Sequence, residues 1–218
     1  MERRSNIFVV FEGIDGAGKT TQIGELADYM RAQNKYLNVL LTREPTWQAQ
    51  AIIDELTKST NPMENGEAMA QGYTIDRARH YHKQIVPALH QRVTVISDRF
   101  SLSTLAYQSA QGVPLEKLVE THENLRIKAP DITIYLCISS PETLNKRVTM
   151  RKESIEKFER ESDFTKRLIG QYDLIVEKSL SDERIHNLLG IVIAVNGEQP
   201  TEKVTAEMLT KLDSYWGK

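Results

Sequence analysis

The stretch Ile7–Thr21, IFVVFEGIDGAGKTT, restricts what this chain can fold into more than any other. Ile7 to Phe11 form an apolar run that is long enough for a buried strand and too short for a core helix. Gly13-Ile14-Asp15-Gly16-Ala17-Gly18-Lys19-Thr20 follows and satisfies G-x-x-x-x-G-K-[ST] at every fixed position. Next, Ile23, Leu26, Ala27 and Met30 recur at i, i+3, i+4, i+7, the apolar stripe of a helix. Glycines let the backbone curl so that successive N–H groups point inward, and the helix N-terminus adds its positive end. Lys19 supplies a cation for the outer phosphates, and the Thr20 hydroxyl is placed to ligate magnesium. A glycine-rich turn before an ordinary helix would need neither residue. Gly13 through Thr21 are therefore expected to hold a nucleoside triphosphate.

Composition narrows the setting. The chain has 218 residues, 40% of them hydrophobic and 27% charged, as in a globular protein with a sizeable core. The 28 basic and 30 acidic residues nearly balance, which argues against a general nucleic-acid binder. The single cysteine, Cys137, cannot form an internal disulfide, so a reducing compartment fits and the cytoplasm is the expected location. Apolar runs are too short for a membrane span, and Glu12 ends the first one too early for a signal peptide.

Along the chain, Tyr36–Thr42 is a second strand, ending at Arg43-Glu44-Pro45. A short helix is expected over Gln48–Lys58 and a long one over Glu67–Gln91, kinked at Pro87. Val93–Ser97 is the third strand, ending at Asp98-Arg99, and Ser101–Gln111 and Leu115–Lys128 read as helices. Ile132–Ile138 is the fourth strand, with Pro141 at the first turn of a helix. Arg147–Glu161 is dense in charge with little apolar periodicity and reads as mobile. Ser162–Ser179 is helical, Ile191–Val195 the fifth strand and Pro200–Trp216 a closing helix. This alternation predicts an α/β fold, a five-stranded parallel sheet with helices on both faces, in one domain over residues 1–218. Ligands should gather beyond the carboxyl ends of the strands, where Arg43, Asp98 and Arg99 sit.

A phosphate loop alone does not choose a reaction. A GTPase would carry N-K-x-D, but Asn34-Lys35 runs on into Tyr36-Leu37. A small kinase needs an arginine-rich acceptor site, and Arg43, Arg77, Arg99 and Arg151 suit that need. Position after a strand favours function for Arg43 and Arg99. Arg77 and Arg151 read equally well as solvated surface charges.

The loop FEGIDGAGKTTQ, Thr42-Arg43-Glu44-Pro45, Asp98-Arg99-Phe100 with Ser103-Thr104 and Ala106-Tyr107-Gln108, and Asn196-Gly197-Glu198-Gln199-Pro200 occur in an order that resembles the thymidylate kinases. The resemblance spans roughly residues 7–200. It implies the three-layer phosphate-loop NTPase fold with a lid near 147–161, and transfer of the γ-phosphoryl of ATP to dTMP with Mg2+ to give dTDP for dTTP synthesis. It also implies a homodimer. Residue by residue, Asp15 would meet the acceptor 3′-hydroxyl, Arg43 and Arg99 would grip its phosphate, and Asp98 with Thr20 would organise magnesium. Tyr73 would stack on thymine and Arg77, one helical turn on, would donate to a thymine carbonyl. Thr104 and Ser103 would complete the base edge, Tyr107 would crowd the sugar 2′ position, and Arg147 would lie along adenine.

The chain departs from the family pattern at three places. Tyr73 replaces phenylalanine, Thr46-Trp47-Gln48 follows the arginine turn where a glycine pair is usual, and Lys157 stands for an arginine near the lid's end. Gly16-Ala17 leaves no basic residue in the loop before Lys19, which resembles the bacterial-style members that bring a catalytic arginine from the lid. Arg151 is the donor expected there, ahead of Lys152 and Lys157. A related kinase acting on dUMP, a broader nucleotide set or a nucleoside is the nearest alternative, and an ATP-binding switch without transfer is the alternative from another class.

Lys19→Ala should abolish turnover with both substrates saturating, because the moving phosphoryl loses a charge aimed at it. A variant keeping more than about a tenth of kcat, a loss under roughly 1.4 kcal/mol, would show that the loop is not working as a phosphate cradle.

Overall fold

The computed structural model describes residues 6–56, 64–125, 127–144 and 162–216. The expected lid, with Arg147, Arg151, Lys152 and Lys157, lies outside the described residues. Five strands form one parallel sheet: β1 (Phe8–Glu12), β2 (Val39–Arg43), β3 (Thr94–Asp98), β4 (Ile132–Cys137) and β5 (Ile191–Asn196). Their spatial order is β2-β3-β1-β4-β5, with β1 in the middle, so the chain reverses direction across the sheet on either side of it. The register pairs Phe11 with Asp98 and Arg43 with Asp98, bringing the phosphate loop and the ends of β2 and β3 to one edge. That edge is the crevice where an open parallel sheet takes its ligand.

Helices cover both faces. Alternate side chains of β1 serve two cores: Phe8 and Val10 pack with Tyr81, Ile85, Val95 and Phe100, while Val9 and Phe11 join the larger cluster that includes Leu26, Leu102, Phe164 and Met208. The helices are α1 (Lys19–Gln33), α2 (Trp47–Leu56), α3 (Gly66–His80), α4 (Val86–His90), α5 (Ser101–Ala110), α6 (Leu115–Glu123), α7 (Ser162–Lys178), α8 (Glu183–Leu189) and α9 (Thr201–Trp216). This is the three-layer α/β architecture of phosphate-loop NTPases. Among the described residues no helix is long and apolar enough to cross a membrane.

Several boundaries differ from the sequence expectation, each for a local reason. β2 starts at Val39, not Tyr36, because the Asn34 side chain accepts from the Tyr36 N–H at 3.0 Å and turns the chain first. The helix expected to kink at Pro87 instead contains a π-helical turn, Tyr81–Ile85, just before α4. A widened turn upstream accommodates the missing N–H and the ring of Pro87 without a break. α6 stops at Glu123, and Ile127 then packs against the Phe8 and Val10 cluster instead of prolonging the helix. α8 is an addition. Asp182 caps it by accepting from the N–H groups of Arg184 at 2.9 Å and Ile185 at 3.4 Å.

Candidate active site

The phosphate loop turns at three glycines with positive φ, Gly13, Gly16 and Gly18. Gly13 is required twice over: its φ is 138°, and an added Cβ would lie 2.8 Å from the Leu136 carbonyl. Lys19 is buried, its Nζ donating to the carbonyls of Gly13 at 2.9 Å and Ile14 at 3.2 Å. Asp15 sits 3.5 Å from Lys19 and pairs with Arg99 Nη2. Burial pushes the Asp15 carboxyl up, but the charges of Arg99 and Lys19 outweigh it and hold the group at about 2. Thr20 is exposed at the first turn of α1, and Ile14 and Ala17 are buried beneath the loop.

Beside the loop lies a cleft with about 390 Å3 of empty space, part of it open to solvent. Tyr73, Arg77, Arg99, Ser103, Thr104, Tyr107 and Gln108 line it together with Glu44, Pro45 and Phe100. Six of the expected acceptor-site residues thus converge on one cleft. Arg43 does not: it is exposed at the end of β2 and is not part of the lining.

Two arginines organise the cleft in different ways. Arg77 is 2% exposed and held on all sides. Its Nε donates to Glu44 Oε2 at 2.9 Å, Nη2 to the Phe100 carbonyl at 2.8 Å and to Thr104 Oγ1 at 3.0 Å, and Nη1 to His122 Nε2 at 2.7 Å. Its guanidinium also lies over the Phe100 ring at 5.1 Å. Of the five N–H donors of an arginine, four are accounted for. The fifth, on Nη1, has no acceptor among the described residues. Glu44 in turn accepts from His80 Nδ1 at 2.9 Å, and His80 Nε2 meets Thr42 Oγ1 at 2.7 Å.

Arg99 has φ 72°, a left-handed conformation that turns its side chain back along the sheet edge. It reaches Asp15, donates to Ser103 Oγ at 2.9 Å and Tyr107 OH at 3.1 Å, and stacks over the Tyr107 ring at 5.1 Å. Ser103 is less available than expected. Its one proton goes to Glu12 Oε2 at 2.5 Å, while Tyr172 OH stands 3.0 Å away on its other side. Thr104 accepts from Arg77, and its own O–H has no acceptor among the described residues. Asp98 Oδ1 is buried without a protein partner among the described residues, as suits a carboxylate oxygen kept for water or a hydrated cation. Among the described residues no group of three or more His, Cys, Asp or Glu is arranged to hold a metal ion. Magnesium needs none, since it is held by one or two protein oxygens plus phosphates. Thr20 and Asp98 fit that ion.

Four residues without an assigned role prove central. Glu12 is fully buried and accepts from the N–H of Phe100 at 2.8 Å and of Ser103 at 3.1 Å, capping α5 from β1. Burial pushes its carboxyl up, against the Ser103 hydroxyl, the Arg99 charge and those N–H groups. Glu44 anchors Arg77, and Gln108 has a buried Oε1 without a protein partner among the described residues. His122 could have been found as a lone histidine on the apolar face that Leu118 and Val119 define. Its Nδ1 donates to the Leu118 carbonyl at 2.7 Å, so Nε2 is the bare nitrogen that accepts from Arg77.

Burial and the Arg77 charge lower His122 to about 3, against 6.5 for a free imidazole. Between those values the unfolded chain binds a proton that the folded chain refuses, so stability falls as pH drops. From pH 7 to 5 this costs about 2 kcal/mol. His122→Gln, which keeps an acceptor for Arg77 and cannot titrate, should lose that much less stability over the same interval in urea denaturation. An equal loss in both proteins would mean that the buried imidazole is not the titrating group.

The thymidylate kinase family model matches residues 11–186. The chain is 35% identical to a probable thymidylate kinase of Thermococcus onnurineus over 200 residues, 88% of this chain and 94% of that protein. It is 34% identical to a thymidylate kinase of Nitrosomonas eutropha over 217 residues, 96% of this chain and 93% of the relative. The crystal structure of a thymidylate kinase from Ehrlichia chaffeensis superposes with a TM-score of 0.70 at 28% identity, covering 96% of this chain and 99% of that one. With a family match from phosphate loop to α8 and the same architecture throughout, this chain belongs to the thymidylate kinase family of phosphate-loop nucleoside monophosphate kinases.

Proposed function

We propose that this enzyme transfers the γ-phosphoryl of ATP to the 5′-phosphate of dTMP. The observation that carries this reading is the polar edge of the cleft. Among the described residues that line it, Arg77 has one N–H, Gln108 one buried oxygen and Thr104 one O–H without a protein partner. Donor, acceptor and donor match the O4, N3–H and O2 edge of a pyrimidine-2,4-dione. Tyr73 offers a ring for stacking from the helix turn before Arg77. Arg99 joins this cleft to the phosphate loop through Asp15, so that an acceptor phosphate held by Arg99 would lie beside the triphosphate.

In this reading the triphosphate wraps the loop N–H groups from Gly13 to Thr21, and Lys19 leaves the Gly13 and Ile14 carbonyls for phosphate oxygens. Arg99 takes the acceptor phosphate, and Asp15 accepts from the sugar 3′-hydroxyl. An oxygen of the acceptor phosphate forms a bond to the γ-phosphorus as the bond to the β–γ bridging oxygen breaks, leaving ADP. Thr20 and Asp98 would hold Mg2+, which neutralises phosphate charge when bound. Tyr107, under the Arg99 guanidinium, crowds the sugar at its 2′ position. Arg151 from the lid remains the proposed donor to the moving group, with Arg147 along adenine.

An ADP-release assay across dTMP, dUMP, dCMP, the ribonucleotide analogue of dTMP and thymidine tests the reading. Turnover should require a monophosphate, favour the deoxy sugar, and accept the two diones at least about a hundredfold better than dCMP. ADP release without an acceptor, or equal use of dTMP and dCMP, would overturn it.

A further inference from the structure

The turn that brings Glu44 and Pro45 to the cleft wall is tied to α3 at three points. Along residues 42–46, every second residue bonds to that helix. Thr42 Oγ1 meets His80 Nε2 at 2.7 Å, Glu44 pairs with Arg77 and His80, and Thr46 bonds to Asp76. Asp76, Arg77 and His80 lie within about one turn at the end of α3 and share a face. The residues between the tied ones are left to solvent and ligand: Arg43 is exposed and Pro45 lines the cleft. Asp76 is 4% exposed and uses both oxygens on one residue. Its Oδ2 accepts from the Thr46 N–H at 2.7 Å and its Oδ1 from the Thr46 hydroxyl at 2.5 Å. Hydrogen bonds to a carboxylate are strong, and two to one residue fix its orientation as well as its distance. The Thr46 carbonyl accepts from the Ala49 N–H at 3.0 Å, so the same residue opens α2. Neither Asp76 nor Thr46 lines the cleft.

We propose that Asp76 is a positioning residue for the acceptor nucleotide. Holding Thr46, it fixes one end of the turn, as His80 fixes the other through Thr42, and Pro45 is set in the cleft wall before the ligand arrives. The proposal rests on the reading that the acceptor nucleotide binds in this cleft. A wall already in place needs little ordering when the ligand binds, whereas a loosened wall must be ordered then, which weakens affinity. The phosphate loop joins β1 to α1, so the effect belongs to the acceptor and not to ATP. A residue that merely tied α2 to α3 would change stability without changing either KM.

Steady-state kinetics at varied dTMP and at varied ATP, with a melting temperature for each protein, test this. The proteins are the wild type, Asp76→Ala, Thr46→Val, Thr46→Ser and the double variant Asp76→Ala with Thr46→Val. Asp76→Ala should raise KM for dTMP about tenfold and Thr46→Val about fivefold, while kcat and KM for ATP stay within about twofold. Thr46→Ser, which keeps the hydroxyl, should match the wild type within about twofold. The double variant should be no worse than Asp76→Ala alone, because the hydroxyl then has no carboxylate to meet. An unchanged KM for dTMP in Asp76→Ala overturns the proposal, whatever its melting temperature. So does a fall in kcat at unchanged KM, or two single effects that multiply in the double variant. Should Asp76→Ala not fold, Thr46→Val against Thr46→Ser decides alone, and equal KM values for dTMP in those two overturn the proposal. A wild type that releases no ADP in response to dTMP overturns the cleft reading and the proposal together. A wild type that turns dTMP over, with KM unchanged in the variants, overturns the proposal alone.

Discussion

Everything at the ligand edge of the sheet depends on one buried carboxylate. Glu12 ends β1 with no exposed surface and accepts from two N–H groups at the start of α5. A bare carboxylate there would be prohibitively costly, and the helix N-terminus, the Ser103 hydroxyl and the Arg99 charge together offset part of that cost. Those contacts pin α5 to the central strand. Arg99, the residue between that strand edge and the helix, is held in a left-handed turn that points its guanidinium at the phosphate loop. Ser103, Tyr107 and Tyr172 then surround it, and Tyr172 is itself stacked on Tyr135 at 5.5 Å.

The second arginine solves a different problem. Arg77 is deeper, almost fully buried, and must be held immobile. Glu44 balances its charge, while a carbonyl, a hydroxyl and a neutral imidazole take further N–H groups. The imidazole matters because a second cation there would repel the first, and the Leu118 carbonyl selects the tautomer that accepts. Among the described residues, what remains is a guanidinium with a single N–H to spare. One rigid donor reads an edge better than five mobile ones, because little ordering is left to be done on binding. Arg99, by contrast, pairs with a partly exposed Asp15, a partner that an incoming phosphate can displace.

The fold and the loop were legible in the sequence because both are local signals. A glycine-lysine motif between an apolar run and an amphipathic helix has few other outcomes, and strand spacing then implies a parallel sheet. The cleft was legible through Tyr73 and Arg77, one turn apart on α3, and through the residues after Asp98. The rest depends on partners far along the chain. Glu12 and Phe100 are 88 residues apart, and Arg77 and His122 45. No local period encodes such pairs. The π-helical turn before Pro87 was hidden for another reason, since a proline predicts a disturbance but not how the backbone absorbs it. α8 had a readable signal in Asp182, followed by Ile185, Leu188 and Leu189 and closed by Gly190, but over only two turns.

The central claim is a division of labour: Arg99 reads the acceptor's phosphate and the Arg77 side of the cleft reads its base. Titration calorimetry of dTMP and thymidine against the wild type and Arg99→Met tests it directly. The wild type should bind dTMP at least about tenfold more tightly than thymidine, as a charge-assisted contact predicts. In Arg99→Met that advantage should vanish while the thymidine affinity stays the same. If the variant weakens both ligands equally, Arg99 shapes the cleft as a whole, and the division of labour is wrong.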